Sequence, residues 1–136
     1  MITYNLEKDL DVEEFRSVLI RSTLDERRPV NDIECMTKMV RNANITVTAR
    51  ENGVLIGVAR SISDFAFCTY LSDLAVDVKY QKAGIGKELI RRTKLEAPEA
   101  KLILLAAPAA RDYYPKIGMP QFEYCFVLDD VQQLKL

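Results

Sequence analysis

An α/β domain built on a mixed β-sheet is what the patterning of these 136 residues predicts. Alternating apolar runs, the period of a half-buried strand, share the chain with runs that repeat at the helical period. An Asn52-Gly53 pair stands between two alternating runs, the strongest short-range signal for a β-hairpin. A strand-like run ending near Val78 switches abruptly to a helical pattern at Gly84, then to an apolar run over residues 101–106, which reads as a β-α-β unit. The expected sheet is antiparallel in its front half and β-α-β in its rear half, flanked by about four helices. No repeat or linker divides it, so residues 1–136 are expected to form a single domain.

The opening Ile2-Thr3-Tyr4-Asn5-Leu6 alternates like a short strand. Asp11 then stands as an N-cap with Glu14 in capping-box position, and Val12, Phe15, Val18 and Leu19 give the first helix its apolar stripe. Residues 22–29 are polar and read as a solvated loop. A second helix is expected from Asn31 or Asp32 to about Asn42, with Ile33, Met36, Met39 and Val40 inward. Ile45, Val47 and Ala49 mark the strand before the Asn-Gly turn, residues 54–59 the strand after it, and residues 68–78 a third. A helix over residues 84–94 carries Ile85, Leu89 and Ile90. The near-continuous apolar run 101–106 is expected to be a strand covered on both faces. A short helix over residues 109–117 and a final strand over 122–128 complete the order.

Composition narrows the function. Nineteen basic and twenty acidic residues give a net charge of −1, with no concentrated basic face to suit nucleic acid. No apolar stretch approaches the ~20 residues that span a bilayer, and the N-terminus lacks the features of a secretory signal. Histidine is absent and Cys35, Cys68 and Cys125 are far apart, which excludes a zinc site and any histidine-dependent nucleophile pair. No metal is expected. The three thiols are read as reduced, buried small groups of a cytoplasmic protein.

The chemistry lies where Leu74-Ala75-Val76 runs through Tyr80 into Gln81-Lys82-Ala83-Gly84-Ile85-Gly86-Lys87 and a helix. Two glycines let the backbone turn tightly and approach a ligand closely. Free N–H groups of the first helical turn, at the positive end of the helix dipole, then face the loop. Lys82 and Lys87 add charge, and a pyrophosphate is the natural guest. It is not a Walker loop, because Gln81 occupies the first glycine position and Glu88 follows Lys87. Nor is it the dinucleotide fingerprint, because Leu89 stands where a third glycine or alanine belongs.

This run resembles the acetyl-CoA motif of the GNAT superfamily of N-acetyltransferases, Gln/Arg-x-x-Gly-x-Gly/Ala after a strand with a Leu-x-Val pattern. Ala110-Arg111-Asp112-Tyr113-Tyr114-Pro115-Lys116-Ile117-Gly118-Met119 is similar to the family's second signature, Ala-x-x-x-Tyr-x-x-x-Gly-Phe. The element order also matches, so the fold expected is GNAT-like. The resemblance implies that backbone groups of Leu74, Ala75 and Val76 pair with the pantetheine arm of acetyl-CoA like an added strand. It implies that Gln81 opens the motif and that amides of Lys82, Ala83, Gly84, Ile85, Gly86 and Lys87 hold the pyrophosphate. Tyr114 falls on the family's tyrosine beside the CoA sulfur. Val78 departs from a frequent proline, Met119 from the phenylalanine, and Ala107 from an asparagine that bonds the cofactor.

Acetyl transfer to an amine needs a neutral nucleophile, a polarised thioester carbonyl and a protonated leaving thiol. A lysine-like amine is neutral roughly once in 2,500 molecules at pH 7, so its proton must be taken by a carboxylate or a water chain. A backbone N–H near Val76 can polarise the carbonyl, and Tyr114 is the expected acid for the thiolate. Asp73 is the carboxylate placed first for the base, with Asp64, Glu123 and a water relay as alternatives. Substrate choice is assigned to residues 16–40. The run from Ala59-Arg60-Ser61-Ile62-Ser63-Asp64 to the acetyl-CoA motif also resembles small bacterial members and plant relatives acting on aralkylamines, and a small-molecule amine is expected over a protein lysine. The alternative is a non-catalytic acyl-CoA-binding sensor on the same fold. A homodimer pairing through residues 122–128 is left open.

Overall fold

The structure is a computed structural model that describes residues 1–135. It comprises two compact units, Met1–Leu105 and the residues from Ala106 onward. In the first unit the order is β1 (Ile2–Leu6), α1 (Val12–Ser22), a 3-10 turn (Leu24–Arg27), α2 (Ile33–Asn42), β2 (Ile45–Glu51) and β3 (Val54–Ser63). There follow β4 (Cys68–Val76), a second 3-10 turn (Val78–Tyr80), α3 (Ile85–Glu96) and β5 (Lys101–Ile103). The five strands lie in sequence order across one sheet, antiparallel from β1 to β4 and parallel between β4 and β5.

Local chemistry accounts for most of these boundaries. Asp11 caps α1 by accepting from the Glu14 amide at 3.1 Å, and Asp32 caps α2 by accepting from the Cys35 amide at 3.0 Å. Asn52 and Gly53 both take positive φ, 51° and 81°, as a two-residue type I′ hairpin requires. The Glu14 side chain does not complete a capping box. It turns instead to Arg50, whose guanidinium also engages Glu7.

The sheet is covered on both faces. Ile85 and Leu89 of α3 pack on one face against Val47, Ala49, Ile56 and Leu71. Phe15, Val18 and Leu19 of α1 and Met36 of α2 pack on the other against Val58 and Ala75. Gly57 lets α3 sit close, because a Cβ there would lie 3.2 Å from Leu89 Cδ1 and 3.3 Å from Ile85 Cγ2. Of the residues expected inward on α2, Met36 and Val40 are buried and Met39 is partly so, but Ile33 is exposed.

Several expectations fail for identifiable reasons. The strand read over 101–106 ends at Ile103, and Ile103 and Leu105 are exposed. β5 is an edge strand with one neighbour in the sheet, so an apolar run alone did not give it two covered faces. Cys68 and Cys125 are exposed and Cys35 is half-buried, all three free, so the buried setting expected for them is not found. Residues 22–29, read as a solvated loop, include a 3-10 turn over Leu24–Arg27 with no buried residue in it.

In the second unit the helix read over 109–117 splits into a 3-10 turn (Pro108–Ala110) and a four-residue α4 (Tyr113–Lys116). Pro115 has no N–H to give the carbonyl of Arg111, which rules out a continuous helix through both. The final strand expected over 122–128 is absent. A turn at Glu123 and Tyr124 breaks the extended run, which continues irregularly to a last 3-10 turn (Val131–Gln133). Apolar alternation is a local signal, whereas a strand exists only in a ladder.

Leu89 is wholly buried where α3 meets the sheet. Leu89→Ala is expected to cost about 2–5 kcal/mol, measured as a lower urea midpoint with an unchanged slope. A loss below about 1 kcal/mol would mean that α3 does not fill this face.

Candidate active site

The rear of the sheet parts along β4. Its ladder with β5 covers only Cys68–Tyr70 against Lys101–Ile103. From Leu71 to Val76, β4 pairs with β3 alone among the described residues. On the β5 side, Leu74, Ala75 and Val76 therefore offer backbone donors and acceptors to anything extended that lies beside them. Opposite the Arg60–Ser61 step the register shifts, so that Ser72 is an extra residue in β4, a β-bulge that bends the strand.

β4 then leads into a loop suited to an anion. Gly84 is the N-cap of α3 with φ 82° and no side-chain cap, so the first-turn amides of the helix are not claimed by a capping side chain. A Cβ at Gly84 would meet nothing within 4 Å, but its left-handed φ favours glycine. Lys82 is also left-handed, at φ 68°. Gln81, Lys82, Ala83, Gly84 and Lys87 are exposed, Gly86 is half-buried, and Ile85 is buried as the anchor of the helix. The Gln81 side-chain amide donates to the Val76 carbonyl at 3.0 Å, tying the loop back to β4. The sequence-identified residues of β4 and of the loop are thus tied together through the Gln81–Val76 bond, with Ala75 and Ile85 buried.

Asp77 follows the last residue of β4. Its carboxylate accepts from the Lys79 amide at 2.9 Å and pairs with Arg21 at 2.5 Å, while Arg21 also donates to the Leu55 carbonyl. Burial pushes the Asp77 carboxyl up, but the Lys79 amide and Arg21 outweigh it and hold it below its usual value. Beside this pair, a cavity of about 660 Å³ opens between α1 and the hairpin turn, with Lys79 and Tyr80 in its wall. Sequence reading missed Arg21 and Asp77, which are 56 residues apart. The only local signal was an acid preceding a turn.

The proposed bases fare differently. Asp73 is fully buried, with one oxygen on Arg28 Nε and the other on Arg60 Nε. A base needs an open lone pair and a route to it, so this geometry does not support the base role expected of Asp73. Arg28 and Arg60, 45 and 13 residues away, were not identified because nothing local links them to Asp73. Asp64 accepts from the amides of Ala66, Phe67 and Cys68 at 2.9, 2.8 and 3.1 Å, which holds its carboxyl down at about 2. Glu123 is exposed in the second unit.

Tyr114 lies in α4, half-buried, with its ring edge-on to Tyr113 at 5.2 Å. Burial, and then the neighbouring Tyr113, raise its hydroxyl above the ordinary pKa of 10, so it keeps its proton at neutral pH. Ala107 precedes the Pro108–Ala110 turn and supplies no side-chain cap. Among the described residues no cluster of acids or thiols could hold a metal ion, and no helix is long and apolar enough to cross a membrane.

A family model described as an acetyltransferase (GNAT) domain matches residues 12–129. The chain belongs to the GNAT acetyltransferase family. Among curated relatives of this GNAT chain is GCN5-related N-acetyltransferase 2, chloroplastic, from Arabidopsis thaliana, 37% identical over 67 residues. That match covers 47% of this chain and 26% of the relative, so it spans about a quarter of the plant protein. A Staphylococcus aureus protein described as a probable acetyltransferase superposes with a TM-score of 0.74 at 24% identity, covering 91% of this chain and 93% of its own. The aminoglycoside N-acetyltransferase AAC(6′)-Iy in complex with CoA gives 0.73 at 14% identity, covering 96% and 95%. At these identities the likeness shows the fold, a mixed sheet with parallel and antiparallel strands and four helices.

The Asp64 turn gives a pH test. Its carboxyl is held below the unfolded value near 4, so the stability it adds is complete above that pH and lost as pH falls toward about 2. Asp64→Ala is expected to lower the urea midpoint at neutral pH. The gap from wild type should close between about pH 4 and about pH 2. A gap that persists in acid would sink this account of the turn.

Proposed function

We propose that this chain moves an acetyl group from acetyl-CoA to a primary amine by direct attack within a ternary complex. The observation that carries this reading is the unpaired side of β4 running straight into the uncapped N-terminus of α3. An extended arm ending in a diphosphate has the shape and charge that these two features suit. Acetyl-CoA supplies an acetyl thioester. The family model spans residues 12–129 and so crosses both compact units, which supports treating 1–136 as one acetyltransferase domain.

The residues divide the work as follows. Backbone groups of Leu74, Ala75 and Val76 align the pantetheine arm, and an amide near Val76 polarises the reacting carbonyl. Amides of Lys82, Ala83, Gly84, Ile85, Gly86 and Lys87 hold the diphosphate, with Gln81 fixing the loop. Tyr114 donates its proton to the leaving thiolate; its raised pKa keeps that proton in place at neutral pH until the thiolate departs. With Asp73 held by two guanidiniums and Asp64 by three amides, the ammonium proton of the acceptor leaves through water. A small-molecule amine is the acceptor we favour, in line with the aminoglycoside N-acetyltransferase among the structural neighbours. Three free thiols fit a reducing compartment such as the cytoplasm.

Thiol release from acetyl-CoA against a panel of aralkylamines, aminoglycosides and polyamines tests the reading. CoA binding without thiol release from any amine would favour the non-catalytic sensor, and no binding of CoA would end both. With an active amine in hand, Tyr114→Phe is expected to lower kcat by ~10²-fold while CoA affinity stays within about twofold. Unchanged turnover would remove Tyr114 from the mechanism.

A further inference from the structure

Around Asp73 four elements of the first unit are knotted together. Arg60 of β3 gives its Nε to one carboxylate oxygen and its Nη1 to the Met39 carbonyl of α2 at 3.0 Å. Arg28, just past the Leu24–Arg27 turn, gives its Nε to the other oxygen. The same guanidinium donates through Nη2 to the Ser72 carbonyl at 2.7 Å and through Nη1 to the Arg27 carbonyl at 2.7 Å. Ser72 is the extra residue of the β4 bulge, so Arg28 grips two consecutive residues at the bend. The next residues along, Leu74 to Val76, belong to the part of β4 that faces no strand on the β5 side among the described residues.

We propose that Arg28 is a positioning residue that fixes the β4 bulge and so presents the backbone of Leu74–Val76 to the pantetheine arm. This rests on the acetyl-CoA reading above. A bulge leaves ladder groups unpaired and lets the strand bend by varying amounts. A strand that must accept a ligand as its next neighbour needs its donors and acceptors at one spacing and one twist. The guanidinium supplies that constraint because its planar fork meets a carbonyl and a carboxylate at fixed mutual angles. Lysine, a single point charge, can satisfy Asp73 without holding Ser72. Because Arg28 lies within the connection between α1 and α2, the clamp also links that connection to β4.

Titration calorimetry with two probes separates this role from general stability. CoA carries the arm, whereas adenosine 3′-phosphate 5′-diphosphate keeps the phosphates and lacks it. Arg28→Gln is expected to weaken CoA about tenfold and the diphosphate less than about twofold. Arg28→Lys, which keeps a charge beside Asp73 and so guards against loss of the fold, should weaken CoA by an intermediate amount. Thermal midpoints of both variants show whether they are folded. Wild-type CoA affinity in both variants, or equal losses for the two probes, would overturn the proposal. Wild-type protein that binds no CoA would instead overturn the acetyl-CoA reading, and this inference with it.

Discussion

Backbone polar groups taken out of a ladder must find other partners, and that constraint governs the rear of this sheet. β4 is paired on both sides at Thr69 and Tyr70 but, among the described residues, with β3 alone from Leu71 to Val76, the bulged Ser72 excepted. A long parallel β5 would have closed the sheet and left no place for an extended ligand. Instead β5 ends at Ile103, while β4 continues past its bulge toward the loop at Gln81. The N-terminus of α3, with no side-chain cap, follows that same strand in the chain, so the two features lie in one segment.

Keeping the bent strand rigid calls for support from the opposite side. β3 supplies the ladder, and α1 and α2 supply apolar cover through Phe15, Val18, Leu19 and Met36. Asp73 adds a directional element. A buried carboxylate is costly unless it is paired, and here both oxygens meet guanidiniums. The fold thus spends on a structural knot a carboxylate that its place beside Leu74–Val76 suggested for proton transfer. Asp64 is similarly occupied by its own turn. Both oxygens of Asp73 and one of Asp64 are taken by these partners.

The site residues vary in how far local sequence reveals them. Gly84 was legible as a turn before α3 because a left-handed backbone is a property of the residue itself. The hairpin at Asn52-Gly53 and the caps at Asp11 and Asp32 were legible for the same reason: each acts within a few residues of itself. Arg28, Arg60 and Arg21 left no such trace. Each meets its carboxylate across 13 to 56 residues of chain, and nothing in a local window tells a salt-bridged arginine from a solvated one.

The sequence by itself determined the element order through β4 and α3, the faces of α1, and the loop from Gln81 to Lys87, because periodicity, capping and glycine conformations are short-range. Only the tertiary structure decided where β5 stops, how Ser72 bulges, and that Asp73 is a buried anchor. It also decided that residues 122–128 are not a strand and that Ala109 to Ile117 is not one helix. Ladders and buried ion pairs require partners distant in the chain. A pattern of residues specifies what a segment can do, and the partner decides what it does.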